Sequence, residues 1–269
     1  MKSAGKFLLF DDVNEFGTWL NSATINRRVW LIQNHHTWSP NYASFTGSNH
    51  FALLTGMENS HIERGFSEIA QNLTTFPDGR VAVCRDLDKI PAGIKGANTG
   101  GICIENLGNF DQGHDQMTAA QRNCIIRLNA LLCRRFALTP NTDTVVYHHW
   151  WDLNTGQRTD GSGVTKTCPG TAFFGGNTLA DARARFIPLI RRALTPGPER
   201  RSLPAALRQA MVMTELLNVR AEPFATARRI KQLTRGIHVS VYEEKNNWCR
   251  IDPLEQCWVS RKYLQDLSA

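Results

Sequence analysis

The segment VVYHHWWDLNTGQRTDGSGVTKTCPG, residues 145–170, joins a short buried strand to side chains of the kinds that bind metals. Its first three residues are apolar and mostly β-branched, which is typical of a buried strand. The strand runs into His148 and His149, and a loop rich in Gly, Asp, Thr and Ser follows. That loop closes on Lys166 and Cys168. Two imidazoles at a strand end and one thiol across a polar loop predict that this segment supplies two of the ligands of a metal site.

A second strand with a histidine pair lies earlier in the chain. Residues 29–37, VWLIQNHHT, run from an apolar stretch into His35 and His36. A catalytic zinc ion takes three protein ligands of the His, Cys or carboxylate type and keeps one position open. Successive side chains of a strand point to opposite faces, so only one residue of this pair is expected to reach the ion. Singly, such a histidine is more often a surface residue and Cys168 a packed thiol, so the prediction depends on the combination.

Four ordered blocks of sequence carry a family resemblance. They are IQNHHT at 32–37, EIAQNLTTFPDGRV at 68–81, GICIENLGNFD at 101–111, and YHH at 147–149 with KTCPG at 166–170. In these blocks the chain resembles the zinc-dependent N-acetylmuramoyl-L-alanine amidases of the type-2 group, which includes phage amidase lysozymes and peptidoglycan recognition proteins. The resemblance implies an α/β fold with a central mixed β-sheet flanked by helices, and a zinc ion at the floor of a surface groove.

The resemblance also implies roles for individual residues. The family pattern places a zinc ligand at the first histidine of each pair, so His35, His148 and Cys168 are the expected ligands. Glu105 lies within the apolar strand GICIENL, where a carboxylate is costly unless it is paired or functional. In cytoplasmic members of the family a Glu at the matching position is the general base, and this role is expected for Glu105. Lys166 is expected to stabilise the oxyanion.

Three residues are candidates for binding substrate: Gln71, Asn72 and Trp150. Many relatives have Tyr where Gln71 stands, and Gln has no titratable proton, so it cannot act as an acid or base. It retains the capacity to hydrogen-bond the substrate or the attacking water. Trp150 and Trp151 are compatible either with stacking on a sugar ring or with packing in the core.

The activity implied is hydrolysis of the amide between N-acetylmuramic acid and the L-alanine of the stem peptide. A non-catalytic peptidoglycan-binding receptor is the alternative, although such relatives typically lack the cysteine ligand. A thiol peptidase that uses Cys168 as nucleophile is disfavoured, because such enzymes place the cysteine ahead of the histidine.

Strands and helices alternate along the first 195 residues, which independently predicts an α/β domain. The Gly- and Pro-containing segment 90–99 is predicted to be a loop at the wall of the cleft. The predicted strands are 29–33, 70–76, 81–85, 101–107 and 142–147.

Helix starts are indicated by capping residues. Asp11 or Asp12 precedes apolar residues at helical spacing, and Thr118 with Gln121 forms a capping-box pattern before a long amphipathic segment. The corresponding helices begin near residues 13 and 118.

Two further helices are predicted over 48–60 and 178–194. Ser48 is the expected cap of the first, with His50 and His61 at the surface. Pro188 is expected to kink the second.

A Pro- and Arg-rich segment, 196–208, is predicted to be a linker between two domains. Residues 1–195 form the expected zinc amidase domain. Residues 209–269 resemble a bacterial SH3-like domain and are expected to form a small all-β barrel. Its predicted strands are 211–219, 229–233, 238–243, 248–251 and 257–260.

Composition restricts the remaining possibilities. The 269 residues are 42% hydrophobic and 20% charged, which is ordinary for a globular protein. The net charge of +7 and the pI near 9.2 suit an anionic partner such as the cell wall, and no nucleic-acid recognition motif accompanies them. No apolar run is long enough to span a membrane.

Peptidoglycan is therefore the expected partner, without nucleic acid or membrane insertion, and the protein is expected to be a monomer. The N-terminus contains only a four-residue apolar run before two aspartates, which is too short for a secretory signal. The expected location is the cytoplasm at synthesis and the cell wall in action, after lysis or specialised secretion. An endolysin, a cytoplasmic recycling enzyme, a wall-remodelling enzyme and a secreted antibacterial toxin are all compatible with the sequence. Seven scattered cysteines are expected to be mostly buried free thiols.

Overall fold

A seven-stranded mixed sheet organises the N-terminal unit of the protein. The computed structural model describes residues 1–195, 206–252 and 256–267. The strand order is β1-β2-β5-β4-β6-β3-β7, with β4, β6, β3 and β7 parallel and the remaining neighbours antiparallel. This confirms the predicted central mixed sheet. The strands are β1 (Lys2–Ala4), β2 (Phe7–Phe10), β3 (Leu31–His36), β4 (Leu73–Thr75), β5 (Val81–Val83), β6 (Gly101–Asn106) and β7 (Val145–Tyr147).

Register between the central strands decides which side chains meet. In the parallel pair of β3 and β6, His35 lies opposite Glu105. In the pair of β3 and β7, Asn34 lies opposite Tyr147, so His148 follows directly beside His35. Because parallel strands end at the same edge, the histidines of both predicted pairs and Glu105 are gathered at one edge of the sheet.

Helices cover the sheet, and their caps agree in part with the sequence. Asp12 caps α1, because its carboxylate accepts hydrogen bonds from the backbone N–H groups of Asn14 (2.6 Å) and Glu15 (3.0 Å). Thr118 caps α3 by accepting from the N–H of Gln121 at 3.1 Å. The helices are α1 (Val13–Ser22), α2 (His50–Glu63), α3 (Ala119–Arg135), α4 (Leu179–Asp181) and α5 (Ile187–Leu194).

Two helix predictions need correction. Asn49 occupies the cap position of α2 that was expected for Ser48, and its side chain makes no capping hydrogen bond to the helix. The segment 178–194 is helical from Leu179 to Leu194, as predicted, but it is not one regular α-helix, because a π-helical turn, Ala182–Phe186, lies between α4 and α5. Pro188, which was expected to kink the helix, lies in the first turn of α5, directly after this π-helical turn.

His50 and His61 are not surface residues, contrary to expectation. His50 is 3% exposed and its Nε2 lies 2.8 Å from the Asp78 carboxylate. His61 is half-buried, and its Nδ1 accepts a hydrogen bond from the N–H of Ala70 at 3.1 Å. Burial, with the nearby charge of Arg64, lowers the pKa of His61 to about 4. Both contacts join α2 to distant parts of the chain, so local sequence did not reveal them.

The C-terminal unit is all-β, as predicted. It comprises a five-stranded sheet, β10-β9-β14-β13-β12, and a three-stranded sheet, β11-β8-β15. The predicted strand 211–219 is in fact two strands in different sheets, joined by a turn at 213–215. The strands are β8 (Arg208–Val212), β9 (Leu216–Arg220), β10 (Arg229–Thr234), β11 (His238–Val241), β12 (Glu243–Lys245), β13 (Trp248–Arg250), β14 (Trp258–Ser260) and β15 (Leu264–Asp266).

The two units divide at Met1–Pro196 and Gly197–Ala269. Residues 196–205 of the predicted linker lie outside the described residues, whereas Arg208 begins β8. Within the described ranges no helix is long and apolar enough to cross a bilayer. All seven cysteines are buried, and Cys84, Cys103, Cys124, Cys133, Cys168 and Cys249 are free thiols.

Candidate functional site

His35, His148 and Cys168 converge at one end of the central sheet. One ligand atom from each lies within 4.8 Å of the others. The two imidazole rings are 4.9 Å apart between centroids and meet edge to face at 66°. All three side chains are buried. His35 thus meets two residues that lie more than a hundred positions later in the sequence, and together they present three donors of the zinc-binding type to one point.

His149 ties the cysteine loop to the end of β7. Its backbone N–H donates to the carbonyl of Cys168, and its Nδ1 donates to the carbonyl of Lys166, both at 2.7 Å. His148 and His149 share the short 3-10 turn His148–Trp150 after β7. The pair therefore has two roles: His148 faces the convergence point and His149 holds the loop that brings Cys168 to it.

The donor set fits a zinc ion. Burial lowers the pKa of His148 to about 4, with a further contribution from Lys166. Burial, His148 and Lys166 together lower the pKa of His35 well below its usual value. Both rings are therefore neutral at pH 7 and have a free lone pair, which ligation requires. Nε2 of His35 is buried without a hydrogen-bond partner among the described residues, which leaves that imidazole uncommitted to other protein groups.

The surroundings of Cys168 are not those of an activated nucleophile. Burial, followed by the charge of Glu105, raises the pKa of its thiol well above the usual value. An activated cysteine nucleophile needs the opposite shift. A metal ion supplies the positive charge that would stabilise the thiolate here.

Glu105 lies beside His35. Its Oε1 lies 3.9 Å from Nδ1 of His35, and its Oε2 is buried without a partner among the described residues. Burial raises the pKa of Glu105 to about 8, although the charge of Lys166 opposes the shift. The side chain is 21% exposed, so it retains contact with the cleft. A carboxylate with a raised pKa and an unused oxygen is suited to exchange a proton.

The site lies on the floor of a cleft of about 1030 Å³. One wall is the loop after β3, where the exposed indole of Trp38 stands, and Ala92 and Gly93 belong to the predicted loop wall. Another wall comes from α2 and the residues after it, which sequence reasoning did not identify because the apolar residues of α2 show little helical periodicity. These lining residues are Leu53, Gly56, Met57, Ser60, His61, Arg64 and Phe66.

Gln71 remains a candidate for substrate binding. It lines the cleft, and its Nε2 donates to Oγ1 of Thr74 at 3.1 Å. Its Oε1 has no partner among the described residues, but the side chain is fully buried (0% exposed), so Oε1 is not accessible to a ligand in this conformation. Gln71, which stands where many relatives have Tyr, therefore has one unpaired hydrogen-bond acceptor.

Asn72 and Trp150 are corrections to the predicted set. All polar groups of Asn72 serve the fold: Oδ1 accepts from the N–H of Cys103, and Nδ2 donates to the carbonyls of Asp86 and Lys89. Trp150 is fully buried, and its indole N–H donates to the carbonyl of Asn177 at 2.8 Å. The 3-10 turn after β7 directs this indole into the core, so it cannot stack on a sugar ring.

Comparison with known proteins agrees with the mixed-sheet fold and with the His, His and Cys side chains that converge at its end. Residues 25–171, more than half of the chain, match the sequence profile of the N-acetylmuramoyl-L-alanine amidase family. The chain belongs to this family. Residues 215–265 match the bacterial SH3 domain.

Several solved structures resemble parts of the chain. The endolysin amidase LysCS from Clostridium intestinale URNW is 22% identical over 54% of this chain and 76% of its own, with a TM-score of 0.40. Drosophila PGRP-LB is 16% identical over 60% and 84%, with a TM-score of 0.45. Drosophila PGRP-SA is 18% identical over 61% and 83%, with a TM-score of 0.45. No curated protein sequence matches the chain.

Proposed function

We propose that the protein is a zinc-dependent N-acetylmuramoyl-L-alanine amidase. In this proposal it hydrolyses the amide between the lactyl group of N-acetylmuramic acid and the L-alanine of the stem peptide. The observation that carries the proposal is the convergence of His35, His148 and Cys168 within 4.8 Å, beside Glu105, in a chain of the amidase family. A zinc ion held by these three ligands would supply Lewis acidity to the substrate carbonyl and acidify a water molecule.

Glu105 is the proposed general base and acid. Its Oε1 lies beside His35, so a water molecule at the convergence point is within reach of the carboxylate. The carboxylate takes a proton from the attacking water and returns it to the nitrogen of the departing alanine. The raised pKa favours both proton transfers, because a group that titrates near neutral pH can accept the proton of the water and can also give it up to the leaving nitrogen.

Lys166 is the proposed stabiliser of the oxyanion. It lines the cleft, and its charge lowers the pKa values of His35, His148 and Glu105, so its electric field acts at the floor of the site. Its backbone is fixed by the hydrogen bond from His149. A fixed positive charge next to the carbonyl under attack stabilises the negative charge that develops on its oxygen.

The cleft is proposed to bind the stem peptide and the adjoining sugar. Gln71 is the proposed contact for a peptide N–H, which requires its buried side chain to turn toward the cleft. Among the described residues that line the cleft, Glu105 is the only carboxylate, whereas Arg64 and Lys166 are cationic. This charge pattern suits stem peptides, which carry free carboxylates.

The C-terminal unit is proposed to hold the enzyme on the cell wall. The proposed boundaries are 1–195 for the amidase domain, 196–208 for the linker and 209–269 for the SH3-like domain. The match of the C-terminal unit to a bacterial SH3 domain supports this role. The proposed setting is that of an endolysin or a related wall hydrolase that acts as a monomer on peptidoglycan.

Mass spectrometry of purified peptidoglycan tests the proposal. Treatment with the protein is expected to release stem peptides that begin with L-alanine, and EDTA is expected to abolish the release. A Cys168→Ala variant is the matched control, because it removes one ligand and leaves the cleft walls intact. Intact stem peptides with measurable binding would instead identify a non-catalytic receptor. Hydrolysis that persists in EDTA would point to a metal-independent enzyme.

A further inference from the structure

The two ends of the cleft lie at opposite ends of strand β6. Beyond the last residue of β6, the N–H of Trp38 donates to the carbonyl of Gly108 at 3.1 Å. Near the start of β6, the N–H of Asn72 donates to the carbonyl of Cys103 at 3.0 Å. Five residues of extended chain span roughly 15 Å, and Glu105 lies between the two points. One substrate can therefore place different parts at the two ends while its reacting bond lies near Glu105.

Helix α2 runs between the same two ends. At its N-terminus, Nδ2 of Asn49 donates to the carbonyl of Ser44 at 2.9 Å. In its last turn, Nδ1 of His61 accepts from the N–H of Ala70 at 3.1 Å. Ser44, His61 and Ala70 all line the cleft. We call the part of the cleft formed by residues 37–44 the indole end, and the part formed by residues 61–71 the cationic end.

Trp38 presents an unpartnered indole at the indole end. Its side chain lines the cleft and is 61% exposed, although a large apolar ring is normally covered in a folded protein. The ring makes no aromatic or cation–π contact, and its N–H makes no hydrogen bond, with any described residue. Both the apolar face and the polar edge of the indole are therefore available to a ligand.

The backbone holds Trp38 in this exposed position. Its φ of 58° lies in the left-handed region, which is rare for a bulky residue and persists only where the surroundings impose it. The preceding residue, Thr37, is fixed on both sides: its N–H donates to the carbonyl of Asn106 at 3.1 Å, and its Oγ1 accepts from the N–H of Gly108 at 2.9 Å. The direction of the indole is thus set by hydrogen bonds to the segment that follows β6.

The rest of the indole end is polar but uncharged. Ser39 and Ser44 are exposed, and their hydroxyl groups have no hydrogen-bond partner among the described residues. None of the described cleft-lining residues between 37 and 53 carries a charge. An indole face beside free hydroxyl groups suits a sugar ring, which has apolar C–H faces and a polar, uncharged rim.

Arg64 gives the opposite end its positive charge. Its guanidinium lies 5.3 Å from the centre of the Phe66 ring and makes no ion pair or side-chain hydrogen bond with any described residue. Its charge reaches the catalytic floor, because it opposes, after Lys166, the rise that burial causes in the pKa of Glu105. A free guanidinium is suited to bind a carboxylate through two parallel hydrogen bonds.

We propose that the cleft binds its substrate in one direction, with the sugar stacked on Trp38 and a carboxylate of the stem peptide on Arg64. The scissile amide of the proposed substrate joins an uncharged sugar to a peptide with free carboxylates, so its two halves match the two ends. Trp38 thereby takes the stacking role that was expected of Trp150. The inference rests on the proposed function for the identity of the substrate.

NMR titrations of the full-length protein with two separate probes test this direction. One probe is the tetramer of N-acetylglucosamine, and the other is a synthetic stem peptide with free carboxylates. The tetramer is expected to shift the indole N–H resonance of Trp38, and the peptide is expected to leave it in place. Trp38→Ala should weaken binding of the tetramer about tenfold and leave binding of the peptide unchanged, whereas Arg64→Gln should have the reverse effect.

Two further variants serve as controls, and each is checked for a wild-type unfolding midpoint. Trp38→Phe keeps an aromatic face and should bind the tetramer within about threefold of wild type. Trp30→Ala removes an indole that is 46% exposed but does not line the cleft, so it should change neither affinity.

Three results would overturn the proposal. These are a wild type that does not bind the tetramer, a Trp38→Ala variant that binds it within twofold of wild type, and a peptide affinity that depends on Trp38 rather than on Arg64. Neither probe contains the scissile amide, so the titrations require no hydrolysis. A protein that binds both probes as described but releases no stem peptides contradicts only the proposed function.

Discussion

Replacement of Glu105 by glutamine tests the centre of the proposed chemistry. The amide has nearly the same shape as the carboxylate, so the packing beside His35 is preserved, but it cannot take a proton from water. Loss of a general base typically lowers kcat by about 10²–10⁴. Among the described cleft residues no second carboxylate is available to replace it. The decrease is therefore expected near the upper end of that range, on the order of 10⁴.

The assay is the rate at which L-alanine-terminated peptides appear from purified peptidoglycan, measured for Glu105→Gln with its zinc content. Zinc occupancy is expected to equal that of the wild type, because Glu105 is not among the three proposed ligands. Glu68→Gln is the matched control: Glu68 lies in an ion-pair cluster with Lys6 and Lys89, away from the cleft, and its replacement should leave kcat nearly unchanged. A zinc-loaded Glu105→Gln enzyme that keeps a tenth or more of the wild-type kcat would refute the assignment of Glu105 as general base.

Three further predictions concern the metal and the stability of the fold. Cys168→Ala is expected to lose zinc on dialysis, as measured by elemental analysis, whereas full zinc retention would exclude Cys168 as a ligand. Tyr147→Phe should raise the free energy of unfolding by about 1 kcal/mol, because the Tyr147 hydroxyl is fully buried without a partner among the described residues; a lower unfolding midpoint in urea would contradict this. Asp12→Ala should lower stability by about 1 kcal/mol through loss of the α1 cap. Hydrogen bonds from the N–H groups of Glu15 and Asn14 lower the pKa of Asp12, so its stabilisation is complete above the unfolded-state pKa near 3.9 and is lost as pH falls through the folded-state value. Wild type and Asp12→Ala should therefore converge in stability in strong acid, and a constant difference would argue against a charged cap.

The elements nearest the site were the most predictable from sequence. The two strands that end in histidine pairs were predictable from their short runs of apolar, β-branched residues. The register of β3 against β6 and β7 then brings the ends of these parallel strands together. Hydrogen bonds local in sequence, such as the cap at Asp12, were predictable for the same reason. The α2 side of the cleft was not, because Arg64 and His61 reach the site only when α2 packs against the sheet.

The erroneous assignments share a physical cause. His50, Asn72 and Trp150 are polar or amphipathic residues whose partners are Asp78, Cys103 and Asn177, respectively. Each partner lies far enough along the chain that no periodicity relates the two. A polar side chain therefore has the same appearance in sequence whether it faces a substrate or satisfies a buried backbone group.

The sequence by itself determined the kinds of chemistry available to this protein: two imidazoles, a thiol and a strand carboxylate in an order that resembles one amidase family, with an all-β unit after them. Those properties follow from residue type and short-range pattern, which can be read without knowing the distances between residues in the folded protein. The tertiary structure alone decided how closely His35, His148 and Cys168 approach one another, and that His149 anchors the loop of Lys166 and Cys168. It also decided that Gly93, in the loop 90–99, lies against the side chains of Gln33 and His35. The physical reason is that directions of side chains and the satisfaction of buried polar atoms are set by packing between distant segments, which local sequence does not encode.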